Sequence, residues 1–302
     1  MQKKEISKWI NRIENILLLL AGIGLVYFFF FYHQADGKAI QPYDREEDYP
    51  IFSGKHVNEY WRTTLNEGEQ AVYDDIKEGY LQFRKAISPR IESLSSSRLK
   101  WIYCAVYQDH PEIFWMDSYN FTNKFLQNDQ VDTGKTINLY YTYTKEEAIS
   151  VNEKMKQNYE PIIEEAQKQE SDLDKIRFVH DALVELGSYQ KYTPEQRNEY
   201  QSIVSLFRDR ESVCAGYSLG FKMIMDRIGI ESTVARDISN EDISKNHIWN
   251  LVRQDGIWYN IDITWDQDNA IHEKDVYAYF MLTHEKFYKT HKKPEGLPEN
   301  QD

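Results

Sequence analysis

The sequence predicts an α+β protein built around a cysteine-bearing helix packed on an antiparallel sheet. A helical and αβ region precedes this core, and a transmembrane helix begins the chain. Three observations carry the prediction. Residues 15–33 are almost wholly apolar, Cys214 stands among small residues at the head of a run with helical spacing, and two β-rich runs flank the pair Asp255-Gly256.

The first element is a membrane anchor. Residues 15–32 read NILLLLAGIGLVYFFFFY, and as a helix they reach roughly 27 Å, close to the ~30 Å hydrocarbon core of a bilayer. Lys3, Lys4, Lys8 and Arg12 precede the run, and Asp36, Asp44, Glu46, Glu47 and Asp48 follow it. The positive-inside rule then puts residues 1–14 in the cytoplasm and everything after residue 33 outside the cell. A cleaved signal peptide has a shorter apolar stretch ending in small residues. This one ends in four Phe and a Tyr, so an uncleaved signal anchor is expected. Residues 34–55 mix Gly, Pro and charge without periodicity and read as a stalk.

A mixed region over 56–150 comes next. Val72, Ile76, Tyr80, Phe83 and Ile87 form one stripe of a helix over 67–88. Leu99 to Tyr107 is apolar and leads into Asp109-His110-Pro111-Glu112-Ile113-Phe114-Trp115, and the β-rich stretch Thr136 to Tyr143 reads as a strand. Helical sequence resumes at 145–168, with a bend or break expected near Pro161. Asn120-Phe121-Thr122 fits an N-glycosylation acceptor. A boundary near residue 150 separates this region from a second domain over 151–288, and residues 289–302, polar with two prolines, are expected to fray.

Bulk properties narrow the function. A chain of 302 residues suits one large or two modest domains. A formal charge of −13, with no basic stripe, argues against nucleic acid as a partner. Cys104 and Cys214 are too few for a disulfide scaffold, although one bridge between them is open in an oxidising compartment. Cys104 sits in an apolar run without a nearby base and reads as core. The histidines at 33, 56, 110, 180, 272, 284 and 291 show no metal-ligand spacing, and no metal or cofactor is expected.

The chemistry concentrates after residue 171. Ser171 to Asp174 starts a helix with Leu173, Ile176, Val179, Leu183 and Leu186 on its buried stripe, and Gly187 ends it. In 212–229, SVCAGYSLGFKMIMDRIG, the residues Tyr217, Phe221, Ile224, Met225 and Ile228 fall at helical spacing, and Gly229 is a stop. Cys214 thus begins a helix, where unpaired N–H groups and the dipole favour a thiolate and can hold an oxyanion. Ala215 and Gly216 leave room for a substrate carbonyl.

A strand over Glu231 to Asp237 and a polar loop precede HIWNLVRQ (247–254), Asp255-Gly256 and IWYNIDITWD (257–266). Asp-Gly between β-rich runs signals a hairpin. Its register pairs Gln254 with Ile257, sets Trp249 opposite Asp262 and His247 opposite Thr264, and makes Asp262 the diagonal same-face neighbour of His247. Such diagonals lie roughly 7–8 Å apart at Cα, within reach of an imidazole–carboxylate hydrogen bond. A nucleophilic Cys needs a base, and the base needs an orienting carboxylate. Cys214, His247 and Asp262 are therefore the candidate catalytic residues. Trp249, Trp258 and Trp265 read as packing, with room for one to line a cleft.

Ser212-Val213-Cys214-Ala215-Gly216-Tyr217, Gly229-Ile230, Asn246 to Val252 and Asp255 to Asp266 resemble the transglutaminase-like superfamily in its membrane-anchored bacterial cell-surface form. The resemblance is firm over 171–268, and the segment Asp109 to Trp115 also resembles one that precedes this domain in such proteins. It implies a papain-like fold and a Cys–His–Asp triad in this chain order. Two features depart or stay open. Ile248 stands where the family often has Ala, and the oxyanion donor is not identifiable, with Tyr189, Gln190 and Gln201 as candidates. The implied activity is acyl transfer from a carboxamide or peptide carbonyl through a Cys thioester, to an amine (a transglutaminase) or to water (a protease or amidase). The implied substrates are proteins or peptides at the cell surface, cell-wall peptides among them. The other reading is a catalytically silent binding module on the same fold.

Overall fold

A computed structural model describes residues 58–89, 91, 93–117, 130–132, 136–190, 197–237 and 246–300. The expected cytoplasmic tail, membrane anchor and stalk, the acceptor triplet at 120–122 and most of the 238–246 loop lie outside the described residues. No helix among the described residues is long and apolar enough to cross a membrane. They fall within one compact unit, Arg45–Asp302, which contains the boundary expected near residue 150.

The helix expected over 67–88 is shorter. Helix α1 (Glu67–Leu81) opens with a capping box between Asn66 and Glu69 and buries Val72, Tyr73, Ile76 and Tyr80. It stops because Phe83 takes a left-handed conformation, φ 52°, that lays its ring between Trp115 and Tyr141. Ile87 then belongs to a short strand pairing Ala86–Ile87 with Ile137–Asn138. The strand expected from Thr136 shrinks to that pair and an isolated bridge, Met116 to Tyr141.

Helix α2 (Ser96–Asp109) is capped by Ser95 and ends at a buried carboxylate. Asp109 accepts hydrogen bonds from Trp61 N–H, Arg62 N–H and the Tyr73 hydroxyl, and Trp61 Nε1–H reaches Val234 O at 3.0 Å. The motif 109–115 is thus packing that ties the first region to the core. Trp115 donates to Tyr80 O at 2.9 Å.

Helix α3 (Lys145–Ala166) runs unbroken through Pro161. Pro161 lies on the exposed face, and so does Gln157, whose carbonyl would have taken the missing N–H. Water can serve there. Helix α4 (Asp172–Leu186) is capped by Ser171 and buries Ile176, Val179 and Leu183, while Leu173 at its start is exposed. Gly187 follows in extended conformation and leads into strand β1 (Ser188–Tyr189), which pairs in parallel with β2 (Glu211–Ser212). A π-helical turn, Ser205–Asp209, precedes β2.

The core is helix α5 (Cys214–Ile228) against a three-stranded antiparallel sheet of β3 (Ser232–Asp237), β4 (His247–Gln254) and β5 (Ile257–Ile261), with β4 central. Mixed helix and strand content of this kind is an α+β fold. Gly229 ends α5 at φ 83°, the left-handed stop its position required. Asp255 and Gly256 both have positive φ, 51° and 82°, the backbone of a tight two-residue hairpin turn.

Two further expectations need correction. The chain does not stay extended to residue 266. It leaves the sheet after Ile261 and enters helix α6 (Ile263–Ile271) with Asp262 as its N-cap. The expected facing of His247 and Thr264 therefore does not form. The tail also differs. Residues 289–300 lie against the core: the Tyr60 hydroxyl donates to Gly296 O at 2.7 Å, Asn300 Oδ1 accepts from Trp258 N–H, and His291 and Leu297 are buried.

Candidate active site

The first turn of α5 places the thiol. Val213 is extended, and Cys214 is the first helical residue, so its end of the helix carries N–H groups without intrahelical partners, and no side chain caps them. Cys214 is buried, at 9% exposure, and both it and Cys104 are free thiols. One turn on, the Ser218 hydroxyl donates to Ile248 O at 3.0 Å and Asn250 Nδ2 donates to Ser218 O at 2.8 Å. These two bonds fix the helix carrying Cys214 against the strand that begins with His247.

His247 bridges the other two groups. Its Nε2 lies 2.5 Å from Asp262 Oδ2, and the Cys214 thiol is close enough to interact with the ring. With Nε2 on the carboxylate, Nδ1 is the nitrogen left for sulfur. Burial pushes the imidazole towards neutrality. The Asp262 charge and hydrogen bond, and then Cys214, outweigh it and raise the His247 pKa to about 10. Burial likewise favours a neutral Asp262. The His247 charge and hydrogen bonds from His247, His291 and Thr264 win there, and the carboxyl is held well below the usual carboxylate range.

The hairpin register sets this up: Gln254 pairs with Ile257 and Asn250 with Ile261, so Asp262 follows directly beside Trp249. The helix cap completes it. Asp262 Oδ1 accepts Thr264 N–H, Thr264 Oγ1–H and Trp265 N–H, which leaves Oδ2 aimed at His247.

Other candidates fall into place around the three. Gly216 does not open space for a substrate. A Cβ there would sit 2.0 Å from Ser212 Oγ and 2.8 Å from Ser205 Oγ, so this glycine packs α5 onto a buried hydroxyl cluster. Ile248 is buried, and a larger side chain than Ala is absorbed by the core. Of the oxyanion candidates, Tyr189 pairs with Ser212 across β1 and β2, and Gln190 N–H donates to Ser212 O at 2.9 Å. Both stand beside the strand that feeds Cys214, and Tyr189 is 48% exposed. Gln201 lies next to Ser202, whose carbonyl faces Gly216. Trp249 and Trp258 are buried, whereas Trp265 is part-exposed with its ring 5.6 Å from His247.

Residues 160–263 match the family model of the transglutaminase-like superfamily. That segment is a transglutaminase-like domain. It contains Cys214, His247 and Asp262, and runs from the last turns of α3 to the start of α6. A solved structure, described as a crystal structure of a TGase, aligns with a TM-score of 0.34 and 21% identity over 41% of this chain and 34% of that chain. The present chain thus spans about a third of that protein's length. No curated protein matches the chain.

Sequence reasoning missed one residue of the site, and it lies outside the transglutaminase-like segment. His291 Nε2 is 3.0 Å from Asp262 Oδ2, the same oxygen that His247 uses. The His291 ring stacks on Phe287 at 3.9 Å and tilts against Trp265 at 4.1 Å. A Phe287–His291 spacing of four residues was the available signal, since such pairs meet on a helical turn. The ligating atoms of His247, Asp262 and His291 lie within 4.8 Å of one another, a cluster that hydrogen bonds onto Oδ2 account for. A zinc ion would need bonds of about 2.0–2.2 Å to each group. The 2.5 Å contact between His247 and Asp262 leaves no space for one without parting the pair.

Proposed function

We propose that this protein is a membrane-anchored extracellular cysteine acyltransferase acting on carboxamide or peptide carbonyls of proteins and peptides at the cell surface. The observation that carries the reading is His247 held between Cys214 and Asp262 at the open end of a buried helix. The transglutaminase-like domain supports a cysteine-type enzyme in general. The sequence of residues 15–33, with basic residues before it and acidic ones after, supports the anchor and its orientation.

The chemistry follows from the geometry. His247 Nδ1 takes the Cys214 proton, and the thiolate attacks the carbonyl carbon to form a C–S bond. N–H groups at the start of α5 receive the developing oxyanion. The C–N bond then breaks, and the imidazolium gives its proton to the departing ammonia or amine. The thioester is resolved by an incoming amine or water, whose proton passes to His247 as the C–S bond breaks. Asp262 holds the ring in one orientation and supports its positive charge throughout.

The test is a screen of the purified full-length protein with glutamine peptides and amine acceptors, with ammonia release, amine incorporation and the mass of the Cys214 adduct as readouts. The reading expects a thioester adduct and turnover that Cys214→Ala abolishes. A silent binding module would give neither adduct nor turnover with any substrate.

A further inference from the structure

We infer that His291 is a positioning residue that acts on His247 through Asp262, by sharing the carboxylate oxygen the two imidazoles both face. The inference deepens the cysteine-enzyme reading and rests on it for its catalytic meaning.

Asp262 has two oxygens with different work. Oδ1 takes three donors from α6, namely Thr264 N–H, Thr264 Oγ1–H and Trp265 N–H, at 2.8 to 3.1 Å. That set already fixes the carboxylate plane, so a further donor is not needed to aim it. Oδ2 takes His247 at 2.5 Å and His291 at 3.0 Å. What His291 adds is competition for charge. A carboxylate oxygen that already satisfies a second N–H attracts the His247 proton less strongly.

His291 is built to donate there. An ionised carboxylate only accepts, so the nitrogen 3.0 Å from Asp262 Oδ2 carries a proton, and Nδ1 lies 2.9 Å from the Thr290 hydroxyl, whose own proton goes to Phe287 O at 3.1 Å. Phe287, Trp265, Trp249 and Tyr279 pack around the ring, and it is almost fully buried. The segment bearing it is tied to the core on either side: Asn260 Nδ2 donates to His284 Nδ1 at 2.9 Å, and the Tyr60 hydroxyl donates to Gly296 O. Seven titratable or charged groups bear on His247 and its carboxylate partner. Cys214 comes from α5, Asp262 and Asp266 from the cap and first turn of α6, and His291 and Tyr279 from the segments that follow it. Asp237 is the β3 partner of His247, with Lys292 3.8 Å from its carboxylate.

The consequence falls on the second half of the reaction, in which His247 must be a free imidazole to accept a proton from the incoming amine or water. An imidazolium held too tightly starves that step. Below the His247 midpoint, each one-unit rise in it leaves about tenfold less free imidazole.

The experiment is an NMR titration of the His247 ring in the full-length protein, in the wild type, His291→Phe, His291→Leu and His291→Gln. Phe keeps the ring stack and removes the donor, Leu removes both, and Gln restores an N–H. The His247 midpoint is expected to rise in His291→Phe and in His291→Leu, and to return towards wild type in His291→Gln. A midpoint that stays or falls in His291→Phe overturns the inference. If His291→Phe does not fold, His291→Leu alone decides in the same way. No substrate enters this measurement, so it stands apart from the enzyme reading, which fails separately if iodoacetamide alkylates wild-type Cys214 no faster than a free thiol.

Discussion

Helix α6 presents two carboxylates one turn apart, and each meets a histidine. Asp262 receives His247, and Asp266 receives His180 Nε2 at 3.1 Å. Both carboxylates also accept backbone N–H groups, Thr264 and Trp265 on Asp262 and Tyr279 on Asp266. The difference lies on the far side of each ring. His180 spends its other nitrogen on Asp181 at 2.8 Å, is fully buried, and is closed in by Tyr277 and Phe280. His247 has the Cys214 thiol as its other neighbour and keeps 17% of its side chain exposed. A His–Asp pair sealed on every side is a staple between α4 and α6, and the same pair opened towards a thiol can do chemistry.

The sharpest way to break this comparison is Asp262→Asn. Asn also caps helices well, so α6 and the fold are expected to survive, with a melting temperature lowered only by the loss of the His247 ion pair. Turnover is expected to fall between about 10²- and 10⁴-fold, because an amide can hold the imidazole in the wrong tautomer. Equal loss of stability and activity would make Asp262 a second staple.

His180→Ala is the mirror experiment. It leaves Asp266 buried without its partner, and a broken buried pair costs about 3 kcal/mol or more. Chemical denaturation should show that loss, while Cys214 in the protein that remains folded reacts with iodoacetamide at the wild-type rate. Gly216→Ala is expected to cost about 1–3 kcal/mol, because the added methyl collides with Ser212 Oγ. Ser212→Ala should recover part of that loss in the double variant.

The smallest effect is a slope. Burial lowers the His247 pKa, but Asp262 and Cys214 raise it to about 10 in the folded protein, against an ordinary value of 6.5. The folded state therefore binds the extra proton, and its stabilisation is complete below about pH 6.5 and lost as the pH rises towards 10. Stability measured across that window should decline, and His247→Ala should flatten the decline.

Sequence showed one member of this comparison and hid the other. The start of α5 was readable because small residues, helical spacing and Gly229 agree with one another. The Asp255-Gly256 turn set a register that reached Asp262. The register pointed to the right neighbour for partly the wrong reason. Ile263, Thr264 and Trp265 are β-formers, and they mask a cap that turns the chain into a helix after a single residue. His180 reads as one more residue near a buried stripe, and its partner is 86 positions away in the chain. His291 lies in a stretch whose polarity and prolines suggest fraying. Its burial comes from Trp249 and Trp265, which no local pattern connects to it.

The most direct measurement is the rate of iodoacetamide alkylation of Cys214 across pH, in the wild type and in His247→Ala. If His247 activates the thiol, the wild type is alkylated at least about tenfold faster than the variant near neutral pH. Identical profiles for the two proteins would contradict the account.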